Sequence, residues 1–445
     1  MLLEIASSSV VGGIYLIAKF GGKRGRKNDY EKIIRIAEAC NLKKGDDSIQ
    51  LLRKTQNKRF VEYVFRIPLG LSFQQFEKHF EELQDGLNNK KNEHTFDYKG
   101  LKKLLLYLKN NQFNRETFSN DLREMFFEPN EIRKRVKMSY DGTLKIKVFD
   151  KELENMIPFN EEFFKGCEGW SIPLGDDGEN FLKWKIGREH VGVAGGTRQG
   201  KTQFLKMLIT SLVKLYPDKV KLSLIDLKGG LSFQRYSNLK QTANFAHDIH
   251  GATNVLDAVY NEMIKRQEKC AELGVETAEE AGIHEKHFII IDEAAELSPV
   301  IKRDERKKRH QCQQRLSELA RIGAGLNYII IFATQYPTVD VMSKDIKSNL
   351  NQVVCFKLRS GNQSQVVLDE WGAEKLPCRG RAIVIDGVEK HVIQAPLMDD
   401  SYIEKVITPH INIKPRKENK DEKHDQKAEK GREDLIIIKK TSLSD

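Results

Sequence analysis

The chain has no C-x-x-C pair and no histidine at zinc-finger spacing, although it carries six cysteines, Cys40, Cys167, Cys270, Cys312, Cys355 and Cys378. Their scatter argues against a disulfide framework and a structural zinc, and predicts reduced thiols in a cytosolic body. Long apolar runs are equally scarce. Only residues 2–20, LLEIASSSVVGGIYLIAKF, approach the roughly 20 residues needed to cross hydrocarbon about 30 Å thick. Glu4 and Lys19 stand at the ends of this run, and Gly12 and Gly13 weaken it. No A-x-A site follows it, and its positive charges, Lys23, Arg24, Arg26 and Lys27, come after the apolar stretch rather than before. That order disfavours a cleaved signal peptide and predicts a single-pass anchor in the cell membrane with the body in the cytoplasm. The bland alternative is a buried or interfacial N-terminal helix.

What is present fits a folded protein of two or three domains: 445 residues, 39% hydrophobic and 31% charged. The 74 Lys and Arg against 64 Asp and Glu give +10 at pH 7, which makes a polyanion or an anionic membrane face a plausible partner. The texture divides the chain into an anchor and basic flank (1–27), a small α+β adaptor (28–155), a motor domain (156–410) and a charged tail (411–445). In the adaptor, helical patterns at Tyr30–Ala39 and Phe73–Leu87 alternate with strand-like pieces at Phe60–Pro68 and Thr143–Phe149. In the motor, β-branched runs alternate with amphipathic helices, the α/β pattern of a parallel sheet covered on both faces. Its candidate strands are His190–Ala194, Val220–Asp226, His287–Asp292, Tyr328–Thr334, Val353–Leu358 and Arg381–Ile385. The tail lacks apolar periodicity and is predicted to be disordered.

Gly195, Gly196, Thr197, Arg198, Gln199, Gly200, Lys201 and Thr202 fit G-x-x-x-x-G-K-[ST], with the strand HVGVA before and the helical QFLKMLITSLVKLY after. This is a cradle for ATP. Glycines let backbone N–H groups close on a phosphate, Lys201 reaches the β and γ oxygens, and Thr202 ligates Mg²⁺. Downstream, FIIIDE is an apolar strand ending in Asp292, suited to the Mg²⁺ hydration shell, and Glu293, suited to act as general base. A third apolar strand closes at Ala333, Thr334 and Gln335, where the amide can address the γ-phosphate or the lytic water.

In order along the chain, IPLG (172–175), VAGGTRQGKT, LSLIDLKGG with Asp226 and Lys228, NEMIKR (261–266), IIIDEAAEL, ATQYPTVDVM and LDEWGAEKLPCRGRAIV resemble the motifs of the FtsK/SpoIIIE family of DNA-pumping ATPases. The likeness covers about residues 172–387. It implies a RecA-like domain in a homo-hexameric ring, nucleotide between subunits and DNA through the channel, with family roles at Lys201, Thr202, Asp292, Glu293 and Gln335. It also implies a trans arginine finger, for which Arg321, Arg359 and Arg379 are candidates.

Three departures refine the expectation. Gln365 stands where the family usually has arginine, so no such role falls there. The basic run 301–310, IKRDERKKRH, is either a phosphate grip in the channel or a solvated helix face. The motor is followed by the charged tail where chromosome-segregating members carry a winged-helix reader, so the compact form resembles the coupling ATPases of conjugative elements. The leading expectation is therefore a membrane-tethered translocase that hands DNA, largely without sequence preference, to a conjugative channel, with a relaxase and channel proteins as partners. The alternative is a type VII-like protein-secretion ATPase, against which stand the lone Walker loop and the absence of an internal repeat. A non-catalytic nucleotide-binding adaptor is disfavoured by the joint presence of Lys201 and Glu293.

Overall fold

A computed structural model describes residues 29–88, 93–96, 127–130 and 134–412. The predicted anchor at 2–20 and the tail beyond 412 lie outside the described residues. Among the described residues no helix is long and apolar enough to cross a membrane.

The N-terminal part holds α1 (Asp29–Ala39), β1 (Gln50–Gln56), β2 (Phe60–Arg66), α2 (Phe73–Lys78), α3 (Phe80–Leu87), β3 (Glu93–Phe96), β4 (Phe127–Asn130), β5 (Arg135–Tyr140) and β6 (Leu144–Phe149). Four of its strands form an antiparallel sheet in the order β1-β2-β6-β5, and β3 pairs with β4 apart from it. On β6 burial alternates from Leu144 to Val148, with Leu144, Ile146 and Val148 buried and Lys145 and Lys147 half-buried, before Phe149 closes the strand buried as well. Leu144, Ile146 and Val148 pack with Ile33, Ala37, Tyr63, Phe65, Phe76, Leu83 and Leu87 into one core. This is the one-sided burial typical of an antiparallel sheet. The single helix predicted over 73–87 is interrupted at His79, which leaves helical geometry at φ −103° and ψ 22° and caps α2 with its backbone N–H.

Beyond it follow β7 (Ser171–Asp176), β8 (Phe181–Lys185), β9 (Val191–Ala194), α4 (Lys201–Leu215), β10 (Val220–Ile225), β11 (Thr242–Ala246), α5 (Ile249–Leu273), β12 (Lys286–Ile291), α6 (Arg306–Ile322), β13 (Tyr328–Thr334), β14 (Gln352–Phe356), α7 (Gly361–Leu368), β15 (Arg381–Asp386), β16 (Glu389–Gln394) and α8 (Asp400–Ile407). The strands make one ten-stranded sheet, β11-β10-β12-β13-β9-β14-β15-β16-β7-β8.

Its first six strands are parallel, as the apolar runs of all but β11 predict. Ile289, Ile291, Ile330 and Phe332 enter one core with α5, α6 and α7, while Phe288, Ile290, Ile329 and Ile331 enter the opposite core with α4 and α8. Covering both faces removes the polar alternation from the sequence, so β13 is buried at every residue. The prediction of an all-parallel sheet needs correction. Strands β15, β16, β7 and β8 extend it in antiparallel order, and the IPLG motif lies in β7. Strands β8, β11 and β16 carry partly exposed and polar positions, which left them without a clear apolar run.

Candidate nucleotide-binding site

Because the six central strands are parallel, their C-terminal ends and outgoing loops share one edge, where open α/β sheets place ligands. The loop after β9 is shaped there by close packing. A Cβ on Gly195 would lie 2.8 Å from the Phe356 Cβ, and Gly200 adopts φ +117° with the Gly380 backbone 3.2 Å from where a Cβ would sit. The loop is tied to its neighbours by Gly195 N–H donating to the Thr334 carbonyl (3.2 Å) and Gly196 N–H to the Lys357 carbonyl (2.8 Å). It delivers the chain into α4 at Lys201, so the free N–H groups of the first turn and the positive end of the helix dipole face the hollow of the loop.

Strand order brings the acids to this loop. Only β13 separates β9 from β12, so the ends of all three lie together. Lys201 Nζ donates to Asp292 Oδ1 at 2.7 Å and also to the Asp292 carbonyl. Both side chains are buried, and burial pulls the Lys201 ammonium below the ordinary lysine range, with the Asp292 carboxylate opposing it. Thr202 Oγ1 lies 3.4 Å from Asp292 Oδ1.

Glu293, 2% exposed, accepts from Thr334 Oγ1 (2.8 Å) and from the Gln335 N–H (2.9 Å to Oε1), and pairs with Lys228 Nζ at 3.0 Å. The Gln335 side chain accepts from Thr197 Oγ1 at 3.1 Å, linking the third strand end to the phosphate loop.

Thr202 and Asp292 supply the hydroxyl and carboxylate oxygens expected of a Mg²⁺ site. Among the described residues no group of three or more His, Cys, Asp and Glu converges on a metal position. Two oxygens at a phosphate loop match the way Mg²⁺ is shared between protein, water and nucleotide.

The three arginines predicted as fingers part company. Arg359 and Arg379 are exposed beside their own loop, through the Lys357 carbonyl and the Gly380 N–H that donates to the Gln199 carbonyl at 2.9 Å. Arg321 follows Ala320, whose carbonyl accepts from His190 Nε2 at 3.0 Å at the start of β9, and so stands at the opposite edge of the sheet.

Sequence reasoning gave no role to Thr334, Ser232, Asp226 or Lys228. Asp226 is fully buried and accepts backbone N–H from Lys228, Ser232 and Phe233 at 3.2, 2.7 and 3.2 Å, and Ser232 Oγ lies 3.4 Å from Asp292 Oδ2. The available signal was position: each follows or closes a central apolar strand at the loaded edge.

A parallel sheet carrying this loop and acid pair defines a P-loop ATPase motor of the α/β class. Residues 170–288 match the FtsK/SpoIIIE family. The resemblance read from the motifs therefore holds for this motor region. DNA translocase SpoIIIE of Bacillus subtilis (strain 168) is 33% identical over 237 residues, 49% of this chain and 29% of that protein. DNA translocase FtsK of Streptococcus pneumoniae is 30% identical over 262 residues, 52% of this chain and 33% of that one. The chain thus spans about a third of the length of these curated relatives. Among solved structures, the pCW3 conjugation coupling protein TcpA, in monomer form with ATPγS, superposes with a TM-score of 0.55 at 18% identity, covering 86% of this chain and 99% of that one. At that identity the likeness speaks for the fold.

Proposed function

We propose that this chain is an ATP-driven DNA translocase, tethered to the membrane through residues 2–20 and acting as a coupling protein that feeds DNA to a conjugative channel. The observation that carries the ATPase part is the meeting of Lys201, Thr202, Asp292, Glu293 and Gln335 at one sheet edge. Identity of about a third to DNA translocases supports DNA as the polymer. The shared fold over nearly all of a conjugation coupling protein supports the transfer setting.

Each side chain has a task the geometry suits. Lys201 and the first-turn N–H groups of α4 neutralise phosphate oxygens, while Thr202 and Asp292 would hold Mg²⁺, which supplies Lewis-acid charge stabilisation. Glu293 accepts the proton of the attacking water, and the Gln335 amide orients it. A hexameric ring would place a neighbour's arginine on the transferring phosphate, and Arg321 suits that trans role by its distance from the loop of its own subunit.

For the grip on DNA, the 301–310 run needs one correction. Arg309 is buried and donates to the Asp304 carboxylate at 2.9 Å, and Lys302 pairs with Glu296 at 3.1 Å. Arg303, Arg306 and Lys307 remain exposed at the start of α6, on the same sheet edge as the phosphate loop. Such cations bind phosphates without reading bases.

The test is ATP hydrolysis by the full chain with single-stranded DNA, duplex DNA and no DNA across a salt series. Stimulation that falls steeply with salt and ignores sequence supports the proposal. Hydrolysis indifferent to both DNAs would leave the fold an ATPase and remove the translocase.

A further inference from the structure

The loop joining β10 to the residues after it touches both acids of the site. At its start Lys228 Nζ holds Glu293 at 3.0 Å, and at its end Ser232 Oγ lies 3.4 Å from Asp292. The roots of this loop are pinned, since Asp226 gathers the N–H groups of Lys228, Ser232 and Phe233, and Phe233 is fully buried. Between them the chain makes a turn in which the Gly230 N–H donates to the Asp226 carbonyl at 3.1 Å and the Gly230 carbonyl accepts from the Gln234 N–H at 2.9 Å. Gly229 and Gly230 both take left-handed geometry, at φ +80° and +79°, and Leu231 is 86% exposed.

Glu293 has three partners of two kinds. Thr334 Oγ1 belongs to the buried last residue of β13, and the Gln335 N–H is on the half-buried residue that follows it. Lys228, whose side chain is 36% exposed, is its one charged partner within ion-pair distance among the described residues, and the only one on an exposed loop. An ammonium on a carboxylate oxygen occupies a lone pair that would otherwise accept the proton of the attacking water.

We infer that Lys228 is a positioning residue that restrains Glu293, and that contact of the translocated DNA with the tip at 229–231 draws Lys228 away and frees the base. The inference rests on the ATPase reading above. It makes loop 226–233 the element that couples the polymer to hydrolysis: the hydrogen-bonded turn keeps Asp226 in place while contact at exposed Leu231 shifts the Lys228 side chain off Glu293.

The experiment compares steady-state ATP hydrolysis by the full-length wild type, Lys228→Met, Lys228→Arg and Leu231→Ser, with and without single-stranded and duplex DNA. Binding of a fluorescent ATP analogue serves as a check on folding. Lys228→Met is expected to raise the DNA-independent kcat about tenfold with KM little changed, and to shrink stimulation by DNA. Lys228→Arg, which keeps the ion pair, is expected to restore wild-type behaviour. Leu231→Ser is expected to keep the low basal rate and lose stimulation; full stimulation in that variant overturns the tip as trigger. A Lys228→Met basal rate at or below wild type overturns the restraint, as does a large rise in KM, which would make Lys228 a nucleotide ligand. A wild type that hydrolyses no ATP under any condition defeats the ATPase reading itself, so the two failures are told apart.

Discussion

The ten-stranded sheet is two structures joined edge to edge, and they use charge in opposite ways. In the parallel half, every crossover returns the chain to the same edge, so Lys201, Lys228 and the adjacent Asp292 and Glu293 gather from three separate stretches of sequence. The antiparallel half doubles back by hairpins, and its turn between β7 and β8 presents Asp176, Asp177 and Glu179 to the N-terminal sheet. There Arg59 pairs with Asp176 at 3.0 Å, and Lys137 and Lys147 both reach Glu179. Arg135 donates to the Asp177 carbonyl and stacks over Phe149, 5.1 Å from its ring centre. These charges are fastened to each other and to a second sheet. Those of the parallel half sit beside glycine loops, where partners can be exchanged. Parallel strands concentrate chemistry, and hairpins here make an attachment.

The sharpest way to break the comparison is Glu293→Gln. Removing the base should lower kcat about a thousandfold while ATP analogue binding persists, as single-turnover and binding assays would show. Unchanged turnover would move the base elsewhere. Next, Lys201→Ala should weaken ATP binding about 10- to 100-fold, the scale of a lost charge-assisted contact, read by titration with a fluorescent analogue.

At the opposite edge of the parallel half, burial pushes the His190 imidazole down to about 4 and the His287 imidazole to about 3. Both stay uncharged in the folded chain and take a proton when unfolded, below the ordinary value of 6.5. Their contribution is therefore complete above pH 6.5 and lost as pH falls toward 4. Each should remove about 2 kcal/mol of stability between pH 7 and 5, measurable by urea denaturation, with the effect of His190 abolished in a His190→Gln variant.

The smallest effect belongs to the hairpin attachment. Burial raises the Glu179 carboxyl, but hydrogen bonds from Lys147 and Lys137 outweigh it and hold the group below the ordinary range. Glu179→Gln should cost about 1 kcal/mol, since its lysines are partly exposed and screened, and should leave basal kcat unchanged. A large drop in kcat would show that the two halves are coupled.

Much of this was open to reading in one dimension. The phosphate loop, the acid pair and five of the six parallel strands announce themselves through local rules: glycines where backbone must close on phosphate, and unbroken β-branched runs where both faces are covered. Strand ends differ from expectation by one or two residues, as at β9, which begins at Val191 where His190 was expected. Strands β8 and β16 of the antiparallel extension, and β11 at the other edge, were hidden because they have mixed composition and owe their place to neighbours. Lys228 was visible as a residue and invisible as a partner.

Local chemistry alone thus determined which residues cradle phosphate, which acid follows which strand, and that an α/β motor would form, because those demands act over a few bonds. The tertiary structure decided strand order, and with it that Lys201 meets Asp292, that Lys228 holds Glu293 and that Arg321 stands at the sheet edge opposite the phosphate loop. Side chains so far apart along the chain become neighbours only after a sheet has chosen its pairings, and no local pattern encodes that choice.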